Sequence, residues 1–192
     1  RGEEGVMRLH LHAVILIAAV TARANLLGLS DKVSFEGEAA MLLEAAARAY
    51  CRKNGWKNLS DYAPEICPER ELRIDTRALF RQIIGDIKAE KNAGFIAASF
   101  HYSLVKLIQR VSRRLAIHNL AFSGGVFQNT LLLDMIDDQL RPEARLFFHR
   151  QLPPNDENIS FGQWAMPERL RAYEVPDNMN KQLKQQQHVS RN

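Results

Sequence analysis

The sequence predicts an α/β fold, rich in helix and with a short sheet. Between residues 119 and 149 a short apolar strand, a glycine turn, a helix and a second apolar strand follow one another. Strands alternating with helices build α/β layers. A run of strong helix formers over residues 38–50 and a long helix over 95–117 precede them. The 192 residues, 46% of them apolar, make one domain or at most two small ones.

Residues 7–28 are predicted as an apolar helix closed by Gly28. A signal peptide reading competes there, because basic Arg8, the apolar run 13–20 and Ala22-Arg23-Ala24 mimic one. The run is too short to span a membrane, which takes about 20 apolar residues. Residues 32–35 suit a brief extended segment. From Gly37 onward, Glu38-Ala39-Ala40-Met41-Leu42-Leu43-Glu44 opens a helix that ends near Gly55. Pro64, Pro68 and their polar neighbours predict a loop over residues 54–70. Residues 71–75 alternate as a strand does, and Asp75 or Thr76 caps a helix over about 77–90. Asn92 to Gly94 breaks it. The helix over 95–117 carries Phe100, Leu104, Leu107, Val111 and Leu115 on one stripe. A strand at 119–122, the turn Ser123-Gly124-Gly125, a helix over 126–140, a strand over 145–149 and a helix over 158–173 complete the fold. The polar end, 174–192, is predicted to be disordered, for want of apolar surface to offset its ordering entropy.

Twenty-six basic against 22 acidic residues leave a net charge of +4, scattered along the chain, which gives nucleic-acid binding no support. Cys51 and Cys67 exclude a disulfide scaffold and a cysteine-rich zinc site, and predict reduced thiols in the cytoplasm. The first residue is arginine, so a fragment or processed piece is expected.

Strand, Ser123-Gly124-Gly125 and helix together can bind phosphate, since glycine backbone approaches an anion closely and a helix start offers free N–H groups. A plain strand-to-helix turn explains the same residues. Asn129 projects from the first turn beyond, to cap the helix, face solvent or reach a ligand. Asp156, after Pro153-Pro154-Asn155, caps a helix or ligates a metal beside a phosphate. Glu36 and Glu38 flank Gly37, where carboxylates suit the helix dipole or accept from ribose hydroxyls. His10 and His12, two apart on a helix, face different ways and do not form a joint metal site. His101, His118 and His149 are expected to be structural.

Three blocks, in order, resemble the C-terminal end of the hydrogenase maturation carbamoyltransferases. They are residues 34–44, residues 122–132 (Phe-Ser-Gly-Gly-Val-Phe-Gln-Asn-Thr-Leu-Leu), and His149-Arg150-Gln151-Leu152-Pro153-Pro154-Asn155-Asp156 continuing to Phe161-Gly162-Gln163. Ala97-Ala98-Ser99-Phe100-His101 is a fourth, weaker match. The resemblance covers about residues 24–172 and places a C-terminal lobe at 26–173, after a poorly matching stretch at 1–25.

It implies the two-lobed fold of the actin, sugar-kinase and heat-shock chaperone ATPases, shared with the tRNA threonylcarbamoyl-adenosine transferases. It implies ATP, carbamoyl-adenylate and carbamoyl phosphate as ligands, and a divalent metal: magnesium, zinc or iron. The acceptor it implies is the C-terminal cysteine of a hydrogenase maturation protein; neither nucleic acid nor a membrane is implied. Carried onto this chain, Ser123, Gly124 and Gly125 pack against nucleotide, Asn129 contacts it, Gly37 and Glu36 approach the ribose, and Asp156 ligates the metal.

Two features depart from the family. Glu157 and Asn158 stand where it carries two glycines. A carboxylate about 4 Å from a phosphate charge opposes it by ~4 kcal/mol at an effective dielectric of 20. His10-Leu11-His12 does not match the family's upstream histidine pair for the metal. The chain alone is therefore expected to be inactive, with half of a shared site. A non-catalytic nucleotide-binding or interaction remnant is the rival expectation, and transfer to another acceptor, such as an antibiotic hydroxyl, is a second.

Overall fold

A computed structural model of the chain describes residues 34–35, 37–62, 65–67 and 73–155. The expectations for residues 7–28, 158–173 and 174–192 lie outside them. In order, the elements are α1 (Glu38–Asn54), β1 (Glu65–Cys67), β2 (Arg73–Asp75), α2 (Arg77–Lys88), α3 (Ala93–Arg114), β3 (Asn119–Phe122), a 3-10 turn (Gly125–Gln128), α4 (Thr130–Leu140) and β4 (Arg145–Phe148).

Helix α3 is the axis of the fold. No charged residue occurs from Ala93 to Val105, so this stretch is apolar or small all round and other elements cover it. Ile96, Ala97, Ala98, Phe100, Leu104 and Val105 are all buried in one core cluster. Leu43 and Ala47 of α1, Leu79 and Ile83 of α2, and Leu131, Leu132, Met135, Ile136 and Leu140 of α4 join the same cluster. The stripe read from sequence is buried through Val111, and the helix stops at Arg114, short of the expected 117. Ala116 takes a left-handed φ of 52° there, and the Ile117 N–H turns back to the Ser112 carbonyl. At the other end Asn92 caps the helix, its side chain accepting from the Phe95 N–H at 3.2 Å.

The segment beyond α1 is stitched to α3 by two buried serines. The Ser60 N–H donates to Ser99 Oγ and the Tyr62 N–H to Ser103 Oγ. Tyr62 itself is buried, with its hydroxyl donating to Asp86. The loop expected over 54–70 contains β1, which pairs antiparallel with β2 in the register Glu65↔Asp75, Ile66↔Ile74, Cys67↔Arg73. Three residues are too few for alternation to show. Of the extended segment expected over 32–35, residues 32–33 lie outside the described residues, and at its end Phe35 bends, its carbonyl accepting from the Glu38 N–H. Ser34 bonds the Glu38 carboxylate through both its N–H and its hydroxyl, which holds that carboxyl below its ordinary range.

Helices α1 and α3 meet closely at Gly94. A β-carbon there would lie 3.0 Å from the Ala46 carbonyl, the Asn92 side-chain oxygen and Tyr50 Cβ. Glycine to alanine in a helix ordinarily gains ~1 kcal/mol. Here Gly94→Ala is expected to reverse that sign and cost about 1–2 kcal/mol by prying the helices apart. Urea denaturation of the variant checks it, and a gain in midpoint would show that α1 gives way freely.

Candidate functional site

Strands β3 and β4 pair in parallel, Asn119↔Arg145 through Phe122↔Phe148. Their carboxyl ends therefore stop side by side, and the two loops leaving them start in register. Ligands of open parallel sheets bind outside these ends. The aromatic rings of Phe122 and Phe148 stack at 5.2 Å just below, and Phe127 meets Phe122 edge-on at 5.2 Å. This apolar floor fixes where the loops begin.

Above it, residues of the second and third sequence blocks touch. Ser123 Oγ lies 3.0 Å from His149 Nε2. The Gly124 N–H donates to the Pro154 carbonyl at 2.5 Å. Gly124 has φ 104° and ψ 160°, a backbone state that only glycine occupies readily. The Gly124 carbonyl then accepts from the Phe127 N–H, starting the 3-10 turn. A β-carbon built on Gly124 or Gly125 meets nothing within 4 Å, so both glycines border open space.

The helix expected over 126–140 is two pieces. Gly125–Gln128 is a 3-10 turn, and Asn129, with φ −70° and ψ 104°, separates it from α4. The glycine turn thus does not feed straight into an α-helix, and a four-residue turn has little dipole to offer an anion. Asn129 serves as the α4 cap, Oδ1 accepting from the Leu132 N–H at 2.8 Å. Its Nδ2 donates to His101 Nε2 at 2.8 Å. His101 Nδ1 lies 2.8 Å from the Ala97 carbonyl. The imidazole is fully enclosed, and burial pushes its pKa down, against the pull of Glu44.

Glu44, on α1, was missed as a site-supporting residue. One oxygen, Oε1, accepts from Thr130 Oγ1 at 2.8 Å and from the Leu131 N–H at 3.1 Å. Arg48 adds contacts to Glu44, Thr130 and Asp134. Acid at a helix start suits the dipole, but the partner helix lies some 86 residues away in sequence. Gly37 forms the left-handed start of α1, with φ 91° and open space around it. It stands two helical turns before Glu44, and no described contact joins it to the glycine turn. Cys51 is half-buried, and burial pushes its thiol up, against nucleophilic use.

Glu36 and Asp156 lie outside the described residues, as do His10 and His12. The loop that leads to Asp156 is described as far as Asn155. Asn155 Oδ1 is buried and has no hydrogen-bond partner among the described residues. An orphaned amide oxygen is a hard donor of the kind magnesium or calcium accepts, and Asp156 follows it in the sequence. Among the described residues no three His, Cys, Asp or Glu side chains gather as a metal cluster. None of the described helices is long and apolar enough to cross a membrane.

Comparison with known proteins matches this geometry to one family. The family model for the second subdomain of the carbamoyltransferase Kae1-like domain matches residues 19–163. The carbamoyltransferase HypF of Synechocystis is 35% identical over 154 residues, covering 78% of this chain and 19% of that protein. HypF2 of Cupriavidus necator is 28% identical over 171 residues, covering 77% of this chain and 21% of that one. The chain thus spans about a fifth of the length of these relatives. A crystal structure of full-length HypF in a phosphate- and nucleotide-bound form aligns with a TM-score of 0.59 at 32% identity, over 74% of this chain and 22% of that one. HypF of T. kodakarensis aligns at 0.55 and 25% identity, over 75% of this chain and 18% of that one. With both the sequence blocks and the parallel-strand loops in agreement, the chain belongs to the HypF carbamoyltransferase family, within the second subdomain of its Kae1-like domain.

Proposed function

We propose that this chain forms one wall of a nucleotide site in a carbamoyltransferase of hydrogenase maturation. The observation that carries the proposal is the joining of the Ser123-Gly124-Gly125 turn to the Pro154 loop at the carboxyl ends of two parallel strands, beside open space. Gly125, bordering open space, gives a phosphate access to backbone, while Gly124, with its N–H and carbonyl taken by Pro154 and Phe127, packs the turn against it, and Ser123, steadied by His149, offers a hydroxyl. Asn129 acts from behind, through the cap and the His101 contact, rather than as a free ligand side chain. Gly37, with Glu36, belongs to the ribose side of the same site. The fold is then a lobe of the actin-like ATPases, and a second lobe completes the cleft.

Asp156 and Asn155 would hold a divalent cation, whose charge offsets the phosphates during carbamoyl transfer. Carbamoyl phosphate and ATP are the proposed substrates, carbamoyl-adenylate the activated form, and a protein cysteine the acceptor. A non-catalytic remnant is the second reading, and Glu157 with Asn158 favours it, since the resemblance implies two glycines at these positions and a carboxylate near a phosphate would oppose it.

Titration calorimetry of the chain with ATP and magnesium tests the half-site. Binding in the range of about 0.1–1 mM is expected, near −4 to −5.5 kcal/mol, and chelating the cation is expected to weaken it. No heat at millimolar ATP would support the remnant. Carbamoyl phosphate-dependent exchange of pyrophosphate into ATP by this chain alone would contradict the half-site.

A further inference from the structure

The block Ala97-Ala98-Ser99-Phe100-His101 matches the family yet has no role in the site as read from sequence. The structure gives its histidine one. The Ala97 carbonyl can only accept, so the proton of His101 sits on Nδ1 and Nε2 presents a lone pair. That lone pair can take only a donor, which turns the Nδ2 side of the Asn129 amide toward it. Oδ1 is thereby left facing the Leu132 N–H. Three contacts of 2.8 Å each run in one order, and each fixes the next.

Asn129 is the joint between the glycine turn and α4. Its N–H donates to the Val126 carbonyl of the turn, and its carbonyl accepts from the Leu133 N–H of the helix. We infer that His101 is a positioning residue of the nucleotide half-site: its Nε2 sets the Asn129 amide, and so the angle at which the Ser123-Gly124-Gly125 turn leaves α4. This rests on the half-site reading above and adds to it a buried control point.

The direction of proton response follows. A protonated Nε2 is a donor and faces the Asn129 amide hydrogens, so the amide must flip and abandon the Leu132 cap. Glu44 and Arg48 on α1 face His101 with opposite charge, and Asp134 on α4 pairs with Arg48. With its pKa lowered in the fold, His101 adds no pH dependence above its ordinary value of 6.5. Below that value the unfolded chain takes up the proton first, so stability falls as the pH falls.

The test uses the whole 192-residue chain, labelled with ¹⁵N, as wild type, His101→Gln and His101→Phe. Glutamine restores an acceptor near the place of Nε2, and phenylalanine fills the space without one. The His101→Gln chain is expected to keep the wild-type Gly124, Gly125 and Asn129 amide signals, with ATP affinity within about threefold. The His101→Phe chain is expected to shift those signals and lose at least about tenfold in ATP affinity. Unmoved glycine signals in His101→Phe would overturn the inference. If that variant does not fold, the wild type decides: as the pH is lowered from about 7 until the His101 ring nitrogens titrate, the glycine signals should move in step with them. Ring protonation that leaves the glycines in place would overturn it equally. A wild type that ignores ATP refutes the half-site alone, because the glycine signals still report on His101.

Discussion

Gly124→Ala is expected to cost about 1–3 kcal/mol in stability and to lower ATP affinity at least about tenfold. The loss has a single physical source. A β-carbon at Gly124 meets nothing within 4 Å, so no clash contributes. The φ of 104° with ψ of 160° is what alanine cannot hold. Relaxing to negative φ turns the Gly124 N–H away from the Pro154 carbonyl and its own carbonyl away from the Phe127 N–H. The two loops at the strand ends then part, and the open space bordering the glycines loses its shape. Gly125→Ala separates this effect from ligand contact. Gly125 sits in the 3-10 turn, is not among the positive-φ glycines, and also borders open space. Alanine there should leave stability within about 0.5 kcal/mol, while its methyl group stands where a phosphate would approach. Thermal melts and ATP titrations of both variants check the pair. Gly124→Ala at wild-type stability would remove the strained turn from the account, and Gly125→Ala at wild-type affinity would move the nucleotide elsewhere.

Much of this fold could be read from the chain because its signals are local. Gly37 and Gly55 bracket α1, and the charge-free run after Asn92 announces the buried α3. The parallel strands were visible as apolar stretches on either side of a helix. What escaped the sequence depends on partners distant in the chain. Strand β1 exists only because β2 lies opposite, and the joining of the two loops depends on Gly124 finding Pro154 thirty residues later. Asn129 carried three readings from sequence, and the capping one is what the described contacts show. Its bond to His101 spans 28 residues and Glu44's bond to Thr130 spans 86, beyond any periodicity. A lone histidine in a long helix reads as structural, which it is here, and nothing near it in sequence says that it holds an asparagine beside a glycine turn. Glu36 and Asp156 keep only the family resemblance as support.

Ile136→Ala is expected to be the most damaging single change to the fold, costing about 2–5 kcal/mol. Ile136 is 0% exposed and sits in the cluster that binds α1, α2, α3 and α4 together. Truncation removes three carbons from packed surroundings and leaves a cavity that neighbouring Met135 and Leu140 fill only in part. Against a total of about 5–15 kcal/mol for a domain, this is a large share, equivalent to a fall of roughly 5–15 °C in Tm. Ile84→Ala is the control: that side chain is 44% exposed on α2, and its loss should stay within about 0.5 kcal/mol. The same experiment probes how the site depends on the core. Helix α4 carries the Asn129 cap at its start and takes the Glu44 carboxylate at its Leu131 N–H. If α4 unfolds with the whole domain, Ile136→Ala should lower the urea midpoint without changing the slope of the transition. Hydrogen exchange at Leu132 and Leu133 should then accelerate in proportion to the global loss. Acceleration there with the rest of the domain unchanged would make α4 a separately opening unit, and the turn it holds would open with it.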